Sequence, residues 1–377
     1  MLVLPAPGGE LLNWSPSGPR PPAPPTKPPT SRIAYAAAHV VADALADEPY
    51  AVDWDTTLAF REHLWSCGLG VAEAMDTAQR GMGLDWATTQ ELVSRTGAAA
   101  AGRRWCAGVG TDQLPPGPAT ITSIVDAWRE QLELVSGAGA VPVVMASRAL
   151  AAAAQSPDDY HTAYGKLLSE AGGPVLLHWL GEQFDPALAG YWGHADVRAA
   201  ARELAALCTE HAATIAGVKV SVLDAEVEVE FRRALPDGVA CYTGDDFNYP
   251  SLIAGDGEGH SEALLGIFDP LAPIAGTALA RLDDGDRAGF HALLDRTVPL
   301  SREIFRAPTR HYKTGVVYLA HLNGHQDHFR MIAGQESART ITHLAMLLRL
   351  ADEAGVLADP DLAEARMRPL LQVAGVA

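Results

Sequence analysis

From residue 31 onward, short apolar runs alternate with longer stretches in which apolar positions recur every three or four residues. "RIAYAAAHV" is followed by "DTTLAFREHLWSCG", where Leu58, Phe60, Leu64 and Trp65 make one apolar face. "LGVAEAM" precedes "DWATTQELVSRTGAAAAG", "RWCAGVG" precedes "ITSIVDAWREQLELVSGAG", and "VPVVMAS" precedes "PDDYHTAYGKLLSEAGG". "PVLLHWL", "IAGVKVSV", "VACYTGDD" and "EALLGIF" continue the alternation, each with a helical stretch behind it. The pattern predicts eight strand–helix units, with strand ends near residues 39, 75, 110, 146, 179, 220, 243 and 268. Strands that are apolar throughout are buried on both faces, as parallel strands covered by helices are. Eight units fit a closed α/β barrel, the eight-stranded parallel TIM barrel. The competing open doubly wound sheet calls for a Gly-rich phosphate turn after the first strand, and "AAAHVVADALADE" offers none.

The two ends of the chain lie outside this rhythm. Residues 1–30 are rich in proline, which cannot enter a helix or sheet interior, so Pro5 to Pro29 are expected to hold neither helix nor strand. Leu11, Leu12 and Trp14 on such an arm need a surface to bury against, which points to a neighbouring subunit and a homo-oligomer. Residues 31–284 are assigned to the barrel. Residues 285–377 carry only helical patterns, including "AGFHALLDRTVPLSREIFRA", "TGVVYLAHLNG", "RTITHLAMLLRLADEAG" and "DLAEARMRPLLQVAG", and should pack on the barrel as additional C-terminal helices.

Composition narrows the function classes. The chain has 377 residues, 48% hydrophobic and 20% charged, ample for a globular core. A net charge of -18 argues against a nucleic-acid partner and disfavours an anionic membrane surface. No 18-residue apolar run is present, and the N-terminus lacks the basic start and continuous apolar stretch of a signal peptide. Cys67, Cys106, Cys208 and Cys241 show no paired spacing and lie in apolar surroundings, which suits reduced thiols in a cytoplasmic protein.

Barrel geometry then directs attention to the strand ends, where such barrels build their sites. Polar residues gather there: His39; Glu73 and Asp76; Thr111 and Asp112; Ser147 and Arg148; His178 and Glu182; Lys219, Asp224 and Glu226; and Thr243, Gly244, Asp245 and Asp246. Each has a plain alternative, since a strand-end Asp often only caps the next helix. Lys219 is the anomaly, a lysine inside the apolar strand "IAGVKVSV". Burial lowers an amine's pKa, and a neutral amine can attack a carbonyl to form a Schiff base. Position alone leaves two other readings open: an ion pair with an acid such as Asp224, or an anchor for a substrate carboxylate.

The stretch "IAGVKVSVLDAE", followed by "GVACYTGDDFNYPSLIAGDGEGHSEALLGIFDPLAP", resembles the dihydrodipicolinate synthase and N-acetylneuraminate lyase superfamily. "VAEAMDTAQRGMGLDW" and "HWLGEQFDPALAGYWG" are similar to a narrower bacterial family, dihydrodipicolinate synthase-like and without an assigned function. The resemblance spans residues 31–355 and is densest from Lys219 to Pro273. It implies that Lys219 is the Schiff-base lysine and that Thr243, Gly244, Asp245 and Asp246 form the seventh-strand motif. Two departures stand out. The superfamily's Gly-Thr-Thr-Gly-Glu turn for a pyruvate carboxylate is replaced by "AMDTAQRG", with Thr77 as a surviving member, and its relay tyrosine is absent from "MASRALAA".

The resulting expectation is a class I aldolase or dehydratase-type lyase acting on a small carbonyl compound, sugar-like or a keto acid. Lys219 would form the imine, His178 would serve as acid–base with Asp76, and Glu73, Thr77, Gln79 and Arg80 would meet substrate hydroxyls. Thr111, Asp112 and Ser147 would add contacts, and Arg148 could hold a carboxylate. This chemistry needs no cofactor. The alternatives are a divalent-metal isomerase or aldolase using His178, Glu73, Asp76 and Glu182, and a non-catalytic barrel that binds a small molecule or serves as a scaffold.

Overall fold

The computed structural model describes residues 1–376. Eight parallel strands close into a barrel: β3 (Ala34–Ala37), β4 (Gly70–Glu73), β5 (Trp105–Val109), β6 (Val141–Met145), β7 (Val175–Leu180), β8 (Ile215–Ser221), β9 (Ala240–Thr243) and β10 (Glu262–Leu265). β10 pairs with both β9 and β3, which seals the ring. The intervening helices are α1 (Trp54–Ser66), α2 (Trp86–Ala100), α3 (Ile121–Gly137), α4 (Arg148–Ala153), α5 (Pro157–Glu170), α6 (Val197–Glu210), α7 (Ala225–Ala234), α8 (Tyr249–Ala254) and α9 (Ala272–Asp283). The protein is a TIM barrel, as the alternation of apolar runs predicts.

Several helices begin where a side chain satisfies their first free N–H groups. Asp53 accepts from Thr56, Asp85 from Thr88, Asp196 from Ala199 and Asp224 from both Glu226 and Val227. Asp224 is thus a helix cap and no partner of Lys219.

The two faces of each strand serve different cores. Tyr35, Ala37, Ala72, Cys106, Val143, Leu176, Tyr242 and Leu264 pack together inside the barrel. Their neighbours in sequence, among them Ala36, Val71, Ala107, Val144, Leu177, Val218 and Cys241, join the larger core between barrel and helices. Side chains alternate across a strand with period two, so this sorting fixes the direction of every residue near the strand ends.

The C-terminal segment supplies α10 (Arg287–Leu294), α11 (Val298–Ile304), α12 (Tyr312–Leu322), α13 (Ile341–Glu353) and α14 (Pro360–Val373). The helical stretch from Ala288 is broken between α10 and α11, where Pro299 occupies the first turn of the second helix. Proline is tolerated there and not in a helix interior.

The N-terminal arm corrects an expectation. Leu2–Pro5 (β1) and Leu11–Trp14 (β2) form an antiparallel hairpin across Gly8 and Gly9, both with positive φ. Leu2, Leu4 and Trp14 are buried, while Leu11 and Leu12 remain exposed. Pro5 sits at the end of a two-stranded ribbon, an edge position where its missing N–H costs nothing. Beyond the hairpin the arm is extended, and the Ser17 and Gly18 N–H groups donate to Asp352 on α13. All four cysteines are free and buried.

Candidate active site

The carboxyl ends of the strands open into a mouth roofed by α12. Strand parity turns Lys219 and Ser221 of β8 inward beside His178 of β7, and Lys219 lies opposite His178 and Tyr242 in register. Lys219, Ser221, Asp76, Thr77, Asp246 and Tyr312 line one small chamber. Gly244 has to be glycine here, because a Cβ would stand 2.1 Å from the Ser221 hydroxyl and 2.8 Å from Lys219 Cε. Its role is clearance for the lysine.

The Lys219 amine has no hydrogen-bond partner among the described residues, although the residue is only 7% exposed. Burial lowers its pKa, and Asp76 and Asp246 only partly oppose that. Asp246 accepts from the Ile267 N–H at 2.9 Å, and burial raises its pKa to about 7. The chamber therefore pairs an amine biased toward neutrality with a carboxyl that exchanges a proton near neutral pH.

Asp76 opens the turn Asp76–Ala78 after β4. That turn is bracketed by Ala74 (φ 50°) and Gln79 (φ 62°), left-handed conformations that non-glycine residues rarely adopt. The turn sets Thr77 2.9 Å from the Tyr312 hydroxyl. Tyr312 stacks on Phe305, with ring centroids 4.4 Å apart. Sequence reasoning missed Tyr312 altogether, because it lies far along the chain in a segment read only as packing.

A wider cavity of about 520 Å³ adjoins the chamber, lined by Thr111, Asp112, Arg148, His178 and Asp185, with Asp76 and Arg80 on its border. His178 meets Ser221 at 3.2 Å. Burial, with Lys219 adding to it, holds its pKa well below the usual imidazole value. That corrects the reason for choosing it: the ring is neutral near pH 7, and Asp246 is the better-placed group for proton exchange. Thr111 meets the Ser147 hydroxyl at 2.7 Å.

Several expected substrate contacts are committed to the scaffold. Glu73 follows inward-facing Ala72, so parity turns it outward, where Arg61 donates to both its oxygens at 2.8 Å and Thr96 donates at 2.7 Å. Thr243 likewise faces outward and donates to Glu228. Gln79 donates to the Ile332 carbonyl at 2.9 Å. Ser147 caps α4 through the Leu150 N–H, and Asp245 accepts from the N–H groups of Phe247 and Asn248. Arg80 borders the mouth, but its guanidinium is held by Asp112, Gln131 and the Gly108 carbonyl. Burial works against the Asp112 charge, yet Arg80 and Gln131 outweigh it and lower its pKa. Arg148 is exposed and paired with Asp185. His39, the remaining strand-end histidine, contacts Asp269 at 2.8 Å and is wholly buried.

The four side chains of the metal alternative do not converge. Glu73 is bound to Arg61, and exposed Glu182 faces a separate crevice beside His194. Among the described residues, no group of three or more His, Cys, Asp or Glu side chains is arranged to hold a metal ion.

The family described as a protein of unknown function (DUF993) matches residues 2–376. The chain belongs to this family. No curated protein matches its sequence. Among solved structures, the DUF993 chain is similar to a putative dihydrodipicolinate synthetase from Pseudomonas aeruginosa, with a TM-score of 0.67 and 16% identity over 86% of this chain and 99% of the other. It is similar to YagE, a prophage protein of the dihydrodipicolinic acid synthase family from E. coli K12, in complex with pyruvate, with a TM-score of 0.64 and 15% identity over 92% and 99%. The chloride-inhibited dihydrodipicolinate synthase from Acinetobacter baumannii, complexed with pyruvate, matches with a TM-score of 0.65 and 15% identity over 87% and 100%. The resemblance read in the sequence is borne out at the level of the fold. No helix among the described residues is long and apolar enough to cross a membrane.

Proposed function

We propose that this chain is a Schiff-base lyase, a class I aldolase or dehydratase acting on a small carbonyl compound. The observation that carries the reading is the buried, unpaired Lys219 amine in a chamber shared with Asp246. The fold it shares with dihydrodipicolinate synthases supports it, as does the pyruvate bound in two of those neighbours.

The chemistry follows from the groups in the chamber. Neutral Lys219 Nζ adds to the carbonyl carbon, and the carbonyl oxygen takes a proton to give a carbinolamine. Protonated Asp246 is suited to deliver that proton, since its pKa of about 7 leaves both forms populated at neutral pH. Loss of water leaves an iminium, which accepts the electron pair when an adjacent carbon–carbon or carbon–oxygen bond breaks. The Tyr312 hydroxyl, held by Thr77, is the second proton-carrying group at the chamber wall. It occupies the chemical role that the missing relay tyrosine leaves open, but it arrives from α12. Pyruvate itself is not favoured as substrate, because the turn after β4 lacks the glycines of a carboxylate cradle.

Borohydride trapping tests the reading. The protein is incubated with a panel of aldehydes, ketoses and keto acids, reduced, and weighed intact. Hydride addition to the iminium carbon leaves a stable secondary amine. A mass increase that maps to Lys219 and vanishes in Lys219→Ala is expected. An adduct on another lysine, or Lys219→Ala activity that survives while EDTA abolishes it, would replace this reading with a different one.

A further inference from the structure

Four lysines occur in the chain: Lys27, Lys166, Lys219 and Lys313. The first two are exposed, and the last two are buried at the same barrel mouth. The proposed chemistry uses only Lys219. Lys313, in the first turn of α12, is 5% exposed; its amine has one hydrogen-bond contact, the Met82 sulfur at 3.3 Å, and lies 5.5 Å from the centroid of the Tyr312 ring. A thioether is a weak acceptor, and an ammonium buried without an anion is expensive.

The surroundings supply that anion only in part, and burial still lowers the Lys313 pKa. Lys313 lines a cavity of about 310 Å³ with Asp76, Arg80, Arg148, Asp185, Arg310 and His311. Asp185 is taken by Arg148, and Asp112 by Arg80. Asp76 lines both this cavity and the Lys219 chamber, so the one carboxylate here without an arginine partner is shared between the two lysines. Exposed Arg310 adds further positive charge at the rim. The cavity therefore holds more cation than its own acids answer. It borders the Lys219 side of the mouth through Asp76, Tyr312, Leu180 and Phe184, which line both spaces.

We infer that this cavity is an anion subsite in which Lys313 holds a carboxylate or phosphate group of the substrate. The substrate is then a carbonyl compound with a charged group remote from the carbonyl that Lys219 captures. The second statement rests on the Schiff-base reading of the site. The first does not, because anion binding by Lys313 needs no imine.

Thermal unfolding with inorganic phosphate and with malonate as separate probes tests it on the full chain. The wild-type melting temperature should rise saturably with at least one of them. Phosphate alone points to a phosphorylated carbonyl compound, malonate alone to a carboxylated one. Lys313→Met should weaken that response at least about tenfold, with Lys313→Gln as the second variant should methionine pack poorly. Lys219→Met should leave it intact, and that separates failure of the subsite from failure of the imine chemistry. Without a probe, Lys313→Met should melt no lower than wild type, because it removes a buried amine whose charged form is only partly compensated. Absence of a saturable response to either probe in the wild type, or a response that survives in both Lys313 variants, would overturn the proposal.

Discussion

Two regions of this molecule bury charge, and they do so in opposite ways. In the wall between barrel and helices, Arg61 and Glu73 meet through two bonds of 2.8 Å, and Thr96 and the Ala74 N–H complete the carboxylate. Glu228, in the same layer, has no ion-paired counter-charge among the described residues: burial raises its pKa to about 8, and it is satisfied by the Thr243 hydroxyl at 3.0 Å and the Ser261 hydroxyl at 2.7 Å. At the mouth, Lys219 has no hydrogen-bond partner among the described residues and Lys313 has only a sulfur. A buried charge that is fully paired contributes to the architecture, and removing one member leaves the other stranded. One left unpaired depresses stability and persists where a ligand completes it. Both kinds of residue lie close together in sequence, as Glu73 and Asp76 do, and their partners separate them.

The largest effect expected is at Lys219. Lys219→Ala and Lys219→Arg should fold and lose turnover by about four orders of magnitude, roughly 5 kcal/mol of transition-state stabilisation. Arginine stays charged and cannot form an imine. Intact-mass trapping and melting temperature, measured together, check this. A variant that loses stability instead would move Lys219 into the wall class.

The wall should answer in the other currency. Glu73→Gln leaves the Arg61 guanidinium buried without its counter-charge, which costs about 3–5 kcal/mol. Chemical denaturation should show that loss, while borohydride trapping at Lys219 on the folded fraction stays at the wild-type level. Loss of trapping with stability unchanged would return Glu73 to the site.

Tyr312→Phe comes next. The ring keeps its stack on Phe305 and loses only the hydroxyl that meets Thr77. Stability should change by no more than about 1 kcal/mol. The rate of imine formation, followed by timed borohydride quenches, should fall by about 10²-fold if the hydroxyl carries protons. An unchanged rate would make Tyr312 a wall residue that happens to border the chamber.

The difference between the two regions also explains what the sequence could reveal. The barrel was legible because fully apolar strands and helical spacing are local patterns, and Lys219 stood out because it interrupts one. Parity was legible too: Ala72 and Tyr242 are inner-face positions, so their neighbours Glu73 and Thr243 had to point outward. Listing strand-end residues by position alone hid that distinction. The pairing of Arg61 with Glu73, or of Arg148 with Asp185, depends on helices and loops that no local pattern places. Tyr312 and Lys313 enter the mouth from the C-terminal segment, a tertiary placement. One signal existed, since Lys313 heads the apolar helix "TGVVYLAHL" and breaks its pattern much as Lys219 breaks a strand. In the arm, Leu2 and Leu4 alternate before the turn residues "PGG", and the abundance of proline concealed that strand pattern.

The pH dependence of Asp246 is the most diagnostic of the mouth. Asp246 is buried, and its folded pKa of about 7 stands well above the value of about 4 for an unfolded aspartate. The folded state therefore favours the protonated carboxyl. Stability from that preference is fully present below pH about 4, declines as pH rises through the folded pKa near 7, and is flat beyond it. Asp246→Asn mimics the protonated form and can still accept from the Ile267 N–H. The variant should melt a few degrees above wild type at pH 8, and the gap should close as the pH is lowered to 4. Melting temperatures of the two proteins across that range measure the difference directly, and the raised Glu228, common to both, cancels. A gap that is constant with pH, or a variant that melts below wild type at pH 8, would mean that Asp246 is ionised and bound to Lys219. The mouth would then be paired like the wall, and the case for a free amine would fail with it.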